Sequence, residues 1–87
     1  MRLQLRNEDT EVLHIEASNE ITPEMIKTIK RAFKDTLPIN LKVDRLKNYF
    51  GFEANFVSGL NITFQTSLTD LTETDKLNIN EIILILS

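Results

Sequence analysis

A chain of 87 residues holds one hydrophobic core and therefore reads as one domain. Its apolar share of 41% and charged share of 26% are those of ordinary globular chains, and two glycines and two prolines exclude collagen-like, linker-like and disordered readings. With no cysteine and a single histidine, disulfide scaffolds, thiolate metal sites, thiol nucleophiles and most catalytic triads are excluded as well.

The formal charge of −3 is unevenly spread. Residues 1–48 carry nine basic and eight acidic side chains, whereas residues 49–87 carry Lys76 alone against Glu53, Asp70, Glu73, Asp75 and Glu81. An acidic second half argues against wrapping a polyanion, which needs several Lys or Arg to neutralise phosphates. Met1–Arg6 has neither the apolar core nor the cleavage site of a signal peptide. The longest apolar run, Ile82–Leu86, is too short to span a bilayer. A cytoplasmic protein is expected, and abundant Ile, Asn, Lys and Thr hint at low-GC bacteria, their phages or mobile elements.

Met1, Leu3 and Leu5 alternate with Arg2, Gln4 and Arg6, as in a strand with one wet face. Asn7-Glu8-Asp9-Thr10 is turn material, and Leu13, Ile15 and Ala17 alternate with Val12, His14 and Glu16 as the returning strand of a hairpin. Thr22-Pro23-Glu24 then starts a helix: Thr22 caps it, Pro23 suits its first position, and Glu24 complements the positive end of the dipole. Ile26, Ile29, Phe33 and Leu37 form its apolar arc, Lys27, Lys30, Arg31 and Lys34 its cationic one, and Pro38 stops it.

Residues 39–59 admit two readings. Phe50, Phe52, Ala54 and Phe56 alternate as a strand, with Ser58-Gly59 turning into Leu60, Ile62 and Phe64. Leu46, Tyr49 and Phe50 also share a helical face that Gly51 would end. A short helical piece near 43–50 followed by the strand hairpin is the expectation. Thr69–Asn80 reads as a polar, acidic loop holding at most a turn of helix. Ile82–Leu86 reads as a central strand, apolar on both faces.

The order ββα(α)βββ suggests a single α+β domain in which a mixed β-sheet packs on one amphipathic helix. A right-handed crossover would place a later strand parallel to the first. The opening Met1–Arg6 strand, its return to Ala17, the helix start at Thr22-Pro23-Glu24, and Asp75–Glu81 leading into Ile82–Leu86 together resemble the ubiquitin-like β-grasp family. The resemblance covers about 60 residues at the two ends and makes residues 39–60 an insertion. It implies a β-grasp fold. Because the chain ends Leu86-Ser87 without the di-glycine tail of conjugating members, it also implies a non-covalent binding module.

Fold alone does not give function, so candidate surfaces come from side chains. On a final strand, Ile82, Leu84 and Leu86, or else Ile83 and Ile85, would form an apolar island beside Arg2, Gln4 and Arg6 of strand one. The cationic stripe Lys27, Lys30, Arg31 and Lys34 suits an acidic partner or phosphate, its plain alternative being a solvated helix face. Asp70, Glu73 and Asp75 are the docking residues of an alternative reading, a small phage or mobile-element inhibitor or antitoxin-type protein that places its acidic half on a basic site. They lack the ligand density and the glycine of a calcium loop. His14 and Glu16 form a same-face pair with pH-sensitive potential. Asn61-Ile62-Thr63 matches a glycosylation sequon but falls in a predicted strand.

A third reading is a helix-turn-helix regulator over 43–60. Leu46, Phe50, Gly51, Phe52, Val57 and Leu60 match its spacing. Its recognition helix, residues 53–60, lacks any Lys or Arg, and Lys47 stands where a small residue is needed. No catalytic, metal or cofactor constellation is visible in the sequence. The reading is therefore a non-catalytic protein-binding module with no cofactor. Its partner is expected to be a protein rather than nucleic acid or membrane, with a homodimer left open.

Overall fold

The computed structural model describes residues 1–7, 12–34 and 36–87. Five strands and two helices follow one another as β1 (Arg2–Asn7), β2 (Val12–Ala17), α1 (Pro23–Lys34), β3 (Asn40–Leu46), β4 (Tyr49–Asn55), β5 (Leu60–Ser67) and α2 (Glu73–Leu86). The domain is a small α+β fold whose sheet has the order β2-β1-β5-β4-β3, with every neighbouring pair antiparallel.

The predicted opening hairpin is present, with Leu5 opposite His14 and Leu3 opposite Glu16. The turn at Glu8-Asp9-Thr10 and the proposed side-chain pairing of His14 with Glu16 lie outside what the structure describes. From β2 at one edge, α1 carries the chain across the sheet to β3 at the other edge. β4 and β5 then fill inward until β5 meets β1. The strand beside β1 is β5, not the expected closing strand Ile82–Leu86, and it runs antiparallel rather than parallel, so the sheet is not mixed. The crossover sets β3 parallel to β2, and the two hairpin reversals return β5 to that same direction, which is opposed to β1.

Alternation in β4 and β5 builds the core. Phe50, Phe52 and Ala54 face the same way as Ile62 and Phe64, and the register sets Phe52 beside Phe64 and Ala54 beside Ile62. Leu3 of β1, opposite Phe64, completes this buried face. The Phe52 and Phe64 rings stack at 6.0 Å, and Phe33 of α1 meets Phe52 and Phe56 edge-on, at 6.3 and 5.3 Å. Such aromatic pairs contribute about 0.5–1.5 kcal/mol each beyond area burial. Met25, Ile26 and Ile29 of α1 and Ile79 and Ile82 of α2 close the same cluster, so both helices cover one face. The other face presents Arg2, Gln4, Glu53, Thr63 and Gln65. Ser58-Gly59 turns the β4–β5 hairpin as expected, with Gly59 at a φ of 92° that glycine adopts without steric cost.

Four further expectations are corrected. Residues 43–50 are not helical. They are the end of β3, a turn at Lys47-Asn48 and the start of β4, because Leu41 and Val43 extend the alternation backwards. The helix-turn-helix reading falls with them, since residues 53–60 are strand and turn. Ile82–Leu86 is not a strand but the second half of α2, which also absorbs most of the predicted acidic loop. Leu37 does not join the α1 face: α1 ends at Lys34 and Leu37 is exposed.

The helix at 73–86 has a local cause. Thr72 is its N-cap, its hydroxyl accepting from the Asp75 amide at 3.1 Å. Ile79 and Ile82 then recur at helical spacing over the core. Asp75 is only 5% exposed, and its carboxylate accepts from the Ile21 amide at 3.2 Å. The Asn78 side-chain amide donates to the Ile21 carbonyl at 3.3 Å. Thr22, the next residue, caps the start of α1 by accepting from the Met25 amide. The two helix starts are thus tied together through the backbone of one residue, and the helices run side by side in the same direction.

Candidate functional site

α1 separates its side chains cleanly. Met25, Ile26 and Ile29 are buried, while Lys27, Lys30, Arg31 and Lys34 are exposed. Spacings of three and four put these four cations on one helical face. The like-charged pairs Lys27/Arg31 and Lys30/Lys34 each cost the helix about 0.2–0.5 kcal/mol. Placement of Arg31 and Lys34 in the last turn offsets part of this, because cations there meet the negative end of the dipole.

The parallel run of the helices brings the second half of α2 against this stripe. Lys30 is hydrogen-bonded and ion-paired to Glu81. Beyond that pair the helices leave a cleft of about 490 Å³, lined by Lys27, Lys30, Arg31, Phe33, Lys34 and Ile85. Phe33 and Ile85 are half-buried and supply apolar wall between the cationic heads. Among the described residues Lys27, Arg31 and Lys34 have no acidic partner within ion-pair distance. The cleft therefore offers an apolar strip with positive charge along one side, three of whose cations pair with no acid among the described residues.

The residues singled out from the sequence are redistributed. Ile83 and Ile85 do not share a sheet face. Two positions apart on a helix they diverge by about 200°. Ile85 lines the cationic cleft, whereas Ile83 lies with Val43, Arg45, Phe50, Leu86 and Ser87 in a second cleft of about 240 Å³ beside β3. Arg2 and Arg6 are exposed on β1, on the sheet face away from the helices, so they join neither cleft. Arg2 instead borders a hollow of about 370 Å³ with Asn48, Tyr49, Gln65 and Ser67.

Asp70, Glu73 and Asp75 are not all exposed together, because Asp75 is buried. Asp75 is consumed by the tie between the helix starts, Glu73 sits in the first turn of α2 beside Lys76 at 3.3 Å, and Asp70 precedes α2 at a φ of 57°. The Asn61 amide donates to the Asn55 side chain at 2.6 Å and Thr63 donates to Asn61, which occupies both polar groups of the sequon within the sheet. Among the described residues no three His, Cys, Asp or Glu side chains lie close enough to hold a metal ion. No helix among them is long and apolar enough to cross a membrane.

Sequence reasoning found all four cations but missed Phe33 and the α2 wall as parts of the same site. Its place in the apolar arc assigns Phe33 to the core, although its position near the end of α1 sets it at the border of the two arcs. The α2 wall was hidden by reading Ile82–Leu86 as a strand. The signal for it is present in Thr72-x-x-Asp75, a four-residue helix-start pattern. Comparison of the chain with protein-family models, with curated proteins and with solved structures finds no match.

Proposed function

We propose that this chain is a non-catalytic protein-binding module that takes an acidic, amphipathic segment of a partner protein between α1 and α2. The observation that carries the reading is the cleft in which Lys27, Arg31 and Lys34 stand beside Phe33 and Ile85 with no acidic partner among the described residues. A stripe that lowers the stability of its own helix is better explained by a ligand than by the fold. The apolar wall favours a peptide with hydrophobic side chains over a bare polyphosphate, and the acidic second half of the chain repels nucleic acid. A ubiquitin-like kinship is supported by the opening hairpin followed by a helix and by the contact of β1 with the last strand. The antiparallel β5 and the helical end of the chain weigh against it. A cytoplasmic setting suits a cysteine-free chain and belongs to the same proposal.

The test is a fluorescence-anisotropy titration with a labelled helical peptide bearing Glu on one face and Leu on the other. The wild-type chain is expected to bind with an affinity that weakens as salt rises. The combined variant Lys27→Glu, Arg31→Glu, Lys34→Glu loses at least about tenfold, three lost charge contacts of roughly 0.5 kcal/mol each. Ile85→Asp loses binding with unchanged circular dichroism. Equal binding by the charge-reversed chain, or preference for duplex DNA over the peptide, overturns the reading.

A further inference from the structure

β3 is the edge of the sheet, and all seven of its residues are exposed. One long side of it pairs with β4, and the other meets no strand among the described residues. An unprotected edge of this length is a template for another strand. Its backbone can be assigned. Leu46 and Tyr49 pair across a two-residue turn, and such a turn is closed by a hydrogen-bonded pair. Alternation then turns the amide and carbonyl groups of Asn40, Lys42, Asp44 and Leu46 toward β4, and those of Leu41, Val43 and Arg45 outward.

We propose that β3 joins the β3 of a second copy in antiparallel fashion, centred on Val43, so that two sheets become one. The sequence Leu41-Lys42-Val43-Asp44-Arg45 is complementary to itself about that centre. Val43 meets the partner's Val43 as a hydrogen-bonded pair, and Leu41 meets the partner's Arg45 as another. With the symmetry-related pair of Arg45 and the partner's Leu41, these three pairs contribute about six backbone hydrogen bonds, two per pair. On either side of the centre Lys42 faces the partner's Asp44, and Asp44 faces the partner's Lys42. These are non-hydrogen-bonded positions, where side chains on adjacent strands come closest and opposite charges stabilise.

The register is selected as well as permitted. Because only alternate residues present outward groups, the strands slip in steps that move the centre by one residue. One step puts Lys42 opposite the partner's Lys42, and the other puts Asp44 opposite the partner's Asp44. Both are penalised as like-charge pairs. The helix-covered face offers a seat for the joined edge. The 240 Å³ cleft formed by Val43, Arg45, Phe50, Ile83 and Leu86 opens beside β3, where the partner's Leu41 arrives opposite Arg45. This interface is separate from the cationic cleft, whose lining shares no residue with it.

Sedimentation velocity on the full chain, across about 10 µM to 1 mM, is expected to show the mass rising from 10.1 kDa toward about twice that value. Lys42→Asp and Asp44→Lys, each alone, place like charges opposite one another and shift dissociation at least about tenfold toward monomer. Mixed one to one they restore opposite charges at both positions, and a heterodimer forms. Amide exchange adds a readout specific to the register: Leu41, Val43 and Arg45 gain protection as concentration rises, whereas Lys42 and Asp44, already bonded to β4, do not. A wild-type chain that stays monomeric across the range overturns the proposal. So does a dimer that survives both single variants, or one whose protection falls elsewhere than on alternate β3 residues.

Discussion

Replacing Asp75 with alanine removes the carboxylate that joins the two helix starts. In the folded chain Asp75 accepts from the Ile21 amide, and both residues are buried. Without it the Ile21 N–H is left inside the protein with no acceptor, a loss of about 1–3 kcal/mol. Removing a negative charge from the first turn of α2 subtracts a further 0.3–1 kcal/mol or so. The expected total is about 2–3 kcal/mol, a lowering of Tm by roughly 10–20 °C for a domain of this size. Asp75→Asn keeps an oxygen in place and is expected to lose about half as much. Urea unfolding followed by far-ultraviolet circular dichroism measures the difference, with Asp70→Ala and Glu73→Ala as exposed comparisons expected to change stability by less than about 0.5 kcal/mol. If Asp75→Ala lies within that same margin, the helix starts are not held as described. The outcome also separates the two readings of these acids, since a docking patch would make all three equally dispensable for folding.

Other perturbations probe the rest of the account. Ile82→Ala, at a position fully removed from solvent, is expected to cost about 2–5 kcal/mol, and Leu84→Ala, at 74% exposure, less than about 0.5 kcal/mol. Equal losses in thermal melts would indicate a strand, in which the two side chains share a face. Gly51→Ala would set a methyl group 2.5 Å from the Tyr49 hydroxyl and 2.9 Å from the Phe64 carbonyl oxygen. A destabilisation of about 1–3 kcal/mol is expected, with Tyr49→Ala relieving only part of it because the Phe64 contact is backbone. A neutral result would mean that β4 and β5 are not in this register. Lys30→Ala is expected to cost no more than about 1 kcal/mol, less at high salt, because its pairing with Glu81 is half exposed. A larger, salt-independent loss would mean that the lysine supports the fold by other contacts.

How far the fold can be read from the chain varies with the kind of signal each segment carries. The opening hairpin, α1 and the β4–β5 hairpin each show a single clear periodicity, and a Thr-Pro-Glu start or a Ser-Gly turn marks their limits. Residues 43–50 carry two compatible periods, because Leu46, Tyr49 and Phe50 fit a helix as well as a hairpin end. The extended Leu41 and Val43 decide between them. Ile82–Leu86 misleads for a different reason: five consecutive apolar residues have no period at all, and β-branched isoleucine favours strand. The choice there was made ten residues earlier, by Thr72 capping and by Asp75 finding the Ile21 amide across the fold. Only the first of those partners is visible locally. The candidate cleft was half legible for the same reason, its cations lying on a well-marked helix and its apolar wall on the misread one.

The most direct test of the binding proposal is a map of where an acidic amphipathic peptide touches the 15N-labelled chain. Titration with the Glu/Leu helical peptide is predicted to move the backbone amides of Lys27, Lys30, Arg31, Phe33, Lys34 and Ile85, with the shifts receding at high salt. Shifts concentrated instead on Arg2, Tyr49 and Gln65, across the sheet from the helices, would contradict it.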